Sequence, residues 1–339
     1  MRIERACKLG EPLLIENPAD VFYLTGLWFS AARLLLKPDK AVLLVDGRYF
    51  GQAQGKVPCE VVLAEKEALA KAVKGLKRVR FDSSFVTVEK AQLLAKSAPN
   101  VEWFPVSRPL KELRAVKDEE ELGKLKAAAR TTAEGYRHIA KRLEEGVVEE
   151  EIALEFEVFC RKKGASKLSF EPIIAFGENS AYPHYRAGKS RLKKNQAALC
   201  DLGAVVDGYR GDMTRVYFHG EPPEESKRFY ALVKQAHDLA FEKARPGIKA
   251  GELDAIVRAF FEKEGVAKLF THSLGHGVGV DVHEYPLLRF DGDDRDAALE
   301  PGMVFTIEPG LYLPGVGGAR YENTVAMTED GLENFYAGV

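Results

Sequence analysis

Cysteine is scarce in this chain. Its 339 residues include four cysteines, Cys7, Cys59, Cys160 and Cys200, and no two stand in a C-x-x-C spacing. A thiolate zinc cluster is therefore not expected, nor is a disulfide framework. The four read as reduced, buried, small hydrophobes. A surplus of basic charge is also missing. The formal net charge is -2, which excludes the basic footprint of a nucleic-acid binder at the level of the whole chain. No block of like charges and no low-complexity tract suggests a disordered tail. Long apolar runs are absent too. The longest uncharged one extends from Val21 to Ala32 and stops at Arg33, short of the ~20 residues that cross a bilayer. The N-terminal MRIERACKLGEP holds no apolar core of a signal peptide. No membrane partner is expected, and a cytoplasmic enzyme is.

What remains is ordinary soluble composition, 46% hydrophobic and 29% charged, with enough apolar material for a full core. The length suggests two domains, here 1–114 and 115–339. In the first, PLLIEN and KAVLLVD read as short strands, and RYFGQAQ and EKEALAKAVKGL as helices. WFPVSRPLKELRAVKDEEE reads as a linker running into a helix. Asp118 is the expected N-cap of that helix, with Glu119, Glu120 and Glu121 at the positive end of its dipole.

Beyond the linker one order occurs twice. Leu122, Leu125, Ala129, Ala133, Tyr136, Ile139 and Leu143 mark one face of a long helix. Val148, Ile152, Phe156 and Phe159 mark a second, ending near Gly164. The strands EPIIAFG, AALCDLGAVV and TRVYFHG follow. Phe229, Leu232, Ala236 and Leu239 then open another helix, and Leu253, Ile256, Val257 and Phe260 the next, before MVFTIEPG and RYENTVAMT. Helix, helix, strands, twice over, predicts an α+β domain. Its two half-domains would share a mostly antiparallel sheet with helices on one face.

Two carboxylate pairs straddle Gly-rich turns. Asp201 and Asp212 flank Asp207-Gly208, a strong hairpin signal. If that dipeptide is the loop, Asp201 lies opposite Thr214, and Asp212 is its diagonal neighbour on the same face at roughly 7–8 Å. Glu308 and Glu322 are symmetric about Gly315, and a hairpin closed through Pro314 to Gly318 would set them nearly opposite each other. His276, in HSLGHGVG, lies between the pairs. A single Asp in such a place is ordinarily a solvated turn residue. Facing like charges beside apolar strands are costly, and a bound cation reverses the cost. Four carboxylates with one imidazole make a hard, oxygen-rich set for Mn²⁺, Co²⁺, Fe²⁺ or Zn²⁺. Two ions about 3.5–4 Å apart can activate water and stabilise an oxyanion. The expectation is a metal-dependent hydrolase.

In type, order and spacing these motifs resemble the pita-bread metallopeptidases, from about Lys117 to Val339. That group includes methionine aminopeptidase, aminopeptidase P and prolidase (Xaa-Pro dipeptidase). NPADVFYLTG and LLVDGRY are similar to the creatinase/prolidase N-terminal domain. Methionine aminopeptidases generally lack that domain, so prolidase and aminopeptidase P fit better. The resemblance implies a small mixed α/β N-terminal domain ahead of a pita-bread domain with a pseudo-twofold sheet. It implies two divalent ions per chain, Mn or Co favoured. Asp201 would hold one ion, His276 and Glu308 the other, and Asp212 and Glu322 both. Glu308 would also shuttle the proton of the attacking water. His184 and His283 would contact substrate and stabilise the tetrahedral intermediate, with Thr214 behind the ligands. His272, Arg320 and Phe170 match substrate-pocket positions.

The implied substrates are small peptides with proline second. The implied assembly is a homodimer in which one N-terminal domain edges the partner's active-site mouth. One departure stands out. Some prolidases carry Arg directly after the VHExP segment, where this chain has Leu287. YPHYR looks closer to aminopeptidase P, whereas the short N-terminal domain is that of compact prolidases. The activity expected is Xaa-Pro dipeptidase, with aminopeptidase P as the alternative. A non-catalytic relative would have lost ligands, and a phosphoesterase would need basic residues around the motifs.

Overall fold

The computed structural model describes residues 2–339. The chain forms two compact units, residues 1–114 and 115–339.

The first unit is built on a mixed sheet of six strands: β1 (Leu13–Ile15), β2 (Ala32–Leu36), β3 (Ala41–Val45), β4 (Glu60–Leu63), β5 (Arg78–Asp82) and β6 (Glu102–Val106). Their order is β4-β3-β2-β1-β5-β6. β1, β2 and β3 run antiparallel in turn, whereas β4, β5 and β6 join in parallel. The helices are α1 (Arg2–Cys7), α2 (Pro18–Thr25), α3 (Gly47–Ala53), α4 (Ala68–Ala72), α5 (Val88–Ser97) and α6 (Lys111–Ala115). Two expectations need correction. EWFPV is not linker but the edge strand β6. Pro105 does not prevent this, because an edge position needs no ladder donor on its outer side. EKEALAKAVKGL contains only the single short turn of helix α4, which buries little more than Ala68 and Leu69. The cysteines also divide. Cys160 and Cys200 are buried, as expected of small hydrophobes, but Cys7 and Cys59 are only half-buried.

The second unit opens with α7 (Glu119–Ala140) and α8 (Glu149–Lys162). Asp118 caps α7 through a reciprocal pair. Its carboxylate accepts the Glu121 N–H at 2.9 Å, and the Glu121 side chain accepts the Asp118 N–H at 3.1 Å. The strands β7 (Lys167–Leu168), β8 (Ile173–Phe176), β9 (Gln196–Leu202), β10 (Ala204–Val206), β11 (Tyr209–Arg210) and β12 (Met213–His219) follow. The order then recurs: α9 (Glu224–Lys243), α10 (Ala250–Lys263), β13 (Gly275–Gly277), β14 (Glu284–Leu288), β15 (Val304–Ile307), β16 (Gly310–Leu313), β17 (Gly317–Arg320), β18 (Asn323–Thr328) and β19 (Gly331–Asn334).

Every strand pair in this unit is antiparallel. Hydrogen bonding divides the strands into four ladders, β11-β10-β7, β12-β9-β8, β14-β13-β15-β18-β19 and β16-β17. Alternation along β8 and β9 sets what lies on each side. Ile174, Ala198, Cys200 and Leu202 pack with Ile139, Ile152 and Phe156 of α7 and α8. Ile173, Ala175, Ala197 and Leu199 join the cluster that holds Phe229, Val233, Leu253 and Val257 of α9 and α10. Among the described residues no helix is long and apolar enough to cross a membrane.

Candidate metal centre

Two hairpins and one glycine-flanked strand bring the acidic groups together. Asp207 and Gly208 have φ of 49° and 84°, the pair of positive values a two-residue type I′ turn requires. Val206 pairs with Tyr209 across that turn, and Asp201 with Thr214 further along. The register is the one the sequence predicts, so Asp212 falls diagonally from Asp201. In the second hairpin Leu313 pairs with Gly317, so the turn itself is Pro314–Val316, shorter than expected. Ile307 pairs with Asn323 and Gly310 with Arg320. Glu308 and Glu322 therefore occupy facing positions in the gap between those two ladders. There their N–H groups find other partners, Leu274 O at 2.8 Å and Thr214 O at 3.3 Å. The second of these bonds ties the two half-domains together at the site.

His276 reaches the cluster because its neighbours have no side chains. A Cβ on Gly275 would meet Thr306 O at 2.0 Å, and one on Gly277 would meet Tyr285 O at 2.4 Å. The His276 Nδ1–H donates to Gly277 O at 3.0 Å, which leaves Nε2 as an acceptor facing inward. Nε2 lies 3.3 Å from Glu308 Oε1 and 3.8 Å from Asp212 Oδ2. Donor atoms of Asp212, His276 and Glu322 all lie within 4.8 Å of one another. Thr306 Oγ1 couples the same elements, accepting the His276 N–H at 3.1 Å and donating to Glu308 Oε1 at 3.1 Å.

The electrostatics of this cluster are those of a cation site. Burial, then the fields of Glu322, Asp201 and Glu308, holds the Asp212 carboxyl well above the usual carboxylate range. Glu322 is raised well above it too, by burial and then by Glu308 and Asp201. Glu308 is pushed up to about 7, chiefly by burial and further by Asp201, against the opposing pull of Arg320. Burial lowers His276, favouring the neutral imidazole that a metal needs. Asp201 Oδ1 is buried and has no hydrogen-bond partner. An orphaned carboxylate oxygen in a nest of mutually repelling acids fits divalent cations, which would satisfy that oxygen and relieve the repulsion. The donors, oxygens with one imidazole nitrogen, suit the hard to borderline ions.

Around these five residues the other expected site residues take distinct places. Arg320 is buried inside the cluster. Its Nη2 donates to Asp201 Oδ2 at 2.5 Å, its Nε to Thr214 Oγ1 at 2.9 Å and its Nη1 to the Tyr312 hydroxyl at 2.6 Å. Thr214 passes the connection on, donating to Glu322 Oε2 at 2.6 Å. His272 is half-buried, with Nδ1 2.7 Å from Ser273 O and Nε2 2.9 Å from the Tyr312 hydroxyl. Burial lowers its pKa to about 3. The His283 ring stands 4.3 Å from that of His276, edge to face. Its pKa is lowered to about 4, first by the desolvation of its inner side and then by His276 and His184. His184 lies on an exposed loop, and its field reaches Glu308, His272 and His283. Phe170 is half-buried beside Ser169, whose hydroxyl bonds Gly211 O at 2.8 Å, next to Asp212.

Sequence reasoning missed four residues that complete this arrangement. Tyr312 joins Arg320 to His272, and burial pushes its phenol up to about 12. Thr306 links His276 to Glu308. The Tyr336 hydroxyl accepts the Asp212 N–H at 2.9 Å, while Thr324 Oγ1 donates to Asp212 O at 2.9 Å. Gly310 was the available clue to Tyr312. It pairs with Arg320, and a Cβ there would stand 2.3 Å from the Tyr312 hydroxyl and 2.9 Å from His272 Nε2.

The fold and this donor set define a metal-dependent hydrolase of pita-bread architecture. The model of metallopeptidase family M24 matches residues 123–329, and that of the creatinase/prolidase N-terminal domain matches residues 11–116. The chain belongs to metallopeptidase family M24, whose members act with divalent metal ions. It is 34% identical over 325 residues to an Xaa-Pro dipeptidase of Pyrococcus horikoshii, covering 94% of this chain and 90% of that one. Among solved structures it resembles an Xaa-Pro dipeptidase from Bacillus anthracis, with TM-score 0.94 and 32% identity over 100% of this chain and 96% of that one. It also resembles an X-Pro aminopeptidase from Thermotoga maritima, with TM-score 0.90 and 31% identity over 99% and 98% of the two chains.

Proposed function

We propose that this peptidase cleaves the bond between an N-terminal residue and a following proline, acting as an Xaa-Pro dipeptidase. The observation that carries the reading is the buried cluster of Asp212, His276 and Glu322, with Glu308 3.3 Å from His276 and a buried, unpartnered oxygen on Asp201, in a chain similar along its length to Xaa-Pro dipeptidases. In this reading Asp201 would hold one ion, His276 and Glu308 the other, and Asp212 and Glu322 would serve both. Bound there, the ions, Mn or Co by preference, would supply Lewis acidity and a nucleophile at neutral pH. Glu308 takes the proton of the attacking water and returns it to the leaving nitrogen. His184 and His283 donate to the reacting carbonyl, and His272, Arg320 and Phe170 shape the substrate pocket. Arg320 does so through Tyr312 and Asp201, to which its donors are committed.

Proline at the second position makes a tertiary amide without an N–H. A site that holds the carbonyl oxygen with cations and imidazoles needs no such donor. One observation favours a second reading, aminopeptidase P. Leu287 pairs with His276 in the β13–β14 ladder and is 36% exposed. It offers no charge to a dipeptide's carboxylate, so longer peptides are not excluded there. The assembly we propose, on the family resemblance, is a cytoplasmic homodimer. The test is an assay of the metal-loaded protein on Xaa-Pro, Xaa-Pro-Yaa and Xaa-Ala. Cleavage of both proline peptides over Xaa-Ala is expected. Equal rates on Xaa-Ala would refute the proline specificity.

A further inference from the structure

We propose that Glu149 is a positioning residue for His184. The proposal rests on the reading of His184 as a group that touches substrate. Between β8 and β9 the chain runs through residues 177–195 with one short 3₁₀ turn, Gly177–Ala181, as its only helical or strand element. Backbone groups in such a stretch lack ladder partners and must find others. The Gly188 N–H and Ser190 O find Glu149, at the first position of α8 and fully buried. Its Oε1 accepts the Phe176 N–H at 2.8 Å and the Asn179 Nδ2–H at 2.8 Å. Its Oε2 accepts the Tyr185 hydroxyl at 2.8 Å and the Gly188 N–H at 3.2 Å. All four donors are neutral, and the helix N-terminus favours a negative group at this place.

The docking is reciprocal. The Glu149 N–H donates to Ser190 O at 3.1 Å, and the Glu150 N–H to Gly188 O at 3.0 Å. Val148 and Arg191 form a further bridge. His184 thus stands on an exposed arch, and both feet of that arch are fixed to one carboxylate. The Phe176 and Asn179 bonds hold one side. The phenol of Tyr185, its immediate neighbour, and the Gly188 N–H hold the other. Asn179 Nδ2 also lies 2.9 Å from the Tyr185 hydroxyl and joins the two feet directly. A side chain that must meet a reacting carbonyl to within a fraction of an ångström depends on such supports.

A double-mutant cycle tests this on the full-length, metal-loaded protein. Glu149→Gln keeps the shape but offers an amide N–H₂ to the Tyr185 hydroxyl and Gly188 N–H, or to Phe176 and Asn179, where an acceptor is required. The variants are Glu149→Gln, His184→Ala and both together, assayed on an Xaa-Pro dipeptide. Metal content is read by elemental analysis, and exchange of the 177–190 amides by hydrogen-exchange mass spectrometry. Glu149→Gln should lower kcat about 10–100-fold, keep two ions per chain and speed exchange in that segment. In the His184→Ala background it should lower kcat no further. Tyr185→Phe, which removes one of the four donors, should act in the same direction more weakly, and it serves the same cycle if Glu149→Gln does not fold. Multiplicative losses in the double variant, or unchanged kcat and exchange in Glu149→Gln, would overturn the proposal. If His184→Ala itself turns over normally, the reading of His184 falls and the proposal with it. That outcome is distinct from a slow His184→Ala beside an unaffected Glu149→Gln.

Discussion

His276 and Leu287 stand opposite each other in the β13–β14 ladder, and the register shifts immediately after them, between His276 and Gly277. Facing residues of an antiparallel pair share one side of the sheet. The residue across from the imidazole at the candidate metal centre is therefore an uncharged, partly exposed leucine. A cation at that position would lie where a short peptide's terminal carboxylate can be met. Leu287→Arg is expected to raise the preference for dipeptides over tripeptides by roughly 10-fold or more, through one charge-assisted hydrogen bond. Ratios of kcat/KM for Xaa-Pro and Xaa-Pro-Yaa measure it. If the unsubstituted protein already rejects every tripeptide, another cation, such as the exposed Arg289, reads the carboxylate.

Thr214 tests how the ligand set is held. Its hydroxyl donates to Glu322 Oε2 and accepts from Arg320 Nε. Thr214→Val keeps the volume and removes both bonds. Groups that orient ligands are commonly worth ~10–100-fold in metal affinity, and a loss of that size is expected in competition with a chelator. Thr214→Ser should restore most of it. Unchanged affinity in Thr214→Val would mean that Glu322 needs no such orientation.

His283 separates substrate contact from metal binding. It stacks edge-on against His276 yet is itself exposed. His283→Ala should keep both ions and slow turnover by about 10²-fold, the usual cost of losing a donor to a developing oxyanion. Elemental analysis beside steady-state kinetics distinguishes the outcomes, and an emptied metal site would assign His283 to the ligands instead.

Stability should depend on pH through a histidine outside the proposed ligand set. His237 is buried on α9, with Nε2 2.9 Å from Asn323 Nδ2 and Nδ1 3.3 Å from Asp238 Oδ1. Burial lowers its pKa from 6.5 to about 4, against the pull of Asp238. Between those values the unfolded chain takes up a proton that the folded one refuses. The contribution is therefore complete above pH 6.5 and is lost as pH falls toward 4. At pH 5 the loss is about 2 kcal/mol by linkage. Urea unfolding of chelated protein at pH 7 and pH 5 should show a pH effect smaller by that amount in His237→Gln. An identical pH effect in both proteins would remove His237 as the cause.

What the sequence made legible was local. The Asp207-Gly208 turn announces itself by residue type, and from that turn the register of Asp201 against Thr214 follows by counting. The symmetry of Glu308 and Glu322 about Gly315 works the same way, although the actual turn is shorter than supposed. The repeated order of helix, helix and strands was visible in the apolar spacing. Supports that arrive from far along the chain were not legible. Tyr336 reaches the Asp212 N–H across 124 positions, and Arg320 reaches Asp201 across 119. No spacing rule connects such residues, because tertiary packing alone brings them together. EWFPV, with Pro105 inside it, is a strand only because it lies at the sheet's edge, a position that tertiary packing decides. Glu149 was hidden among three consecutive glutamates of which only it is fully buried.

The most direct test of the account is metal content measured alongside activity. The protein should bind two divalent ions per chain, lose Xaa-Pro cleavage when a chelator removes them, and regain it when Mn²⁺ or Co²⁺ is returned. Asp212→Ala should lose metal and activity together, because the other ligands cannot compensate the charge it supplies. Full cleavage of Xaa-Pro after exhaustive chelation, with metal loss confirmed by elemental analysis, would contradict the account.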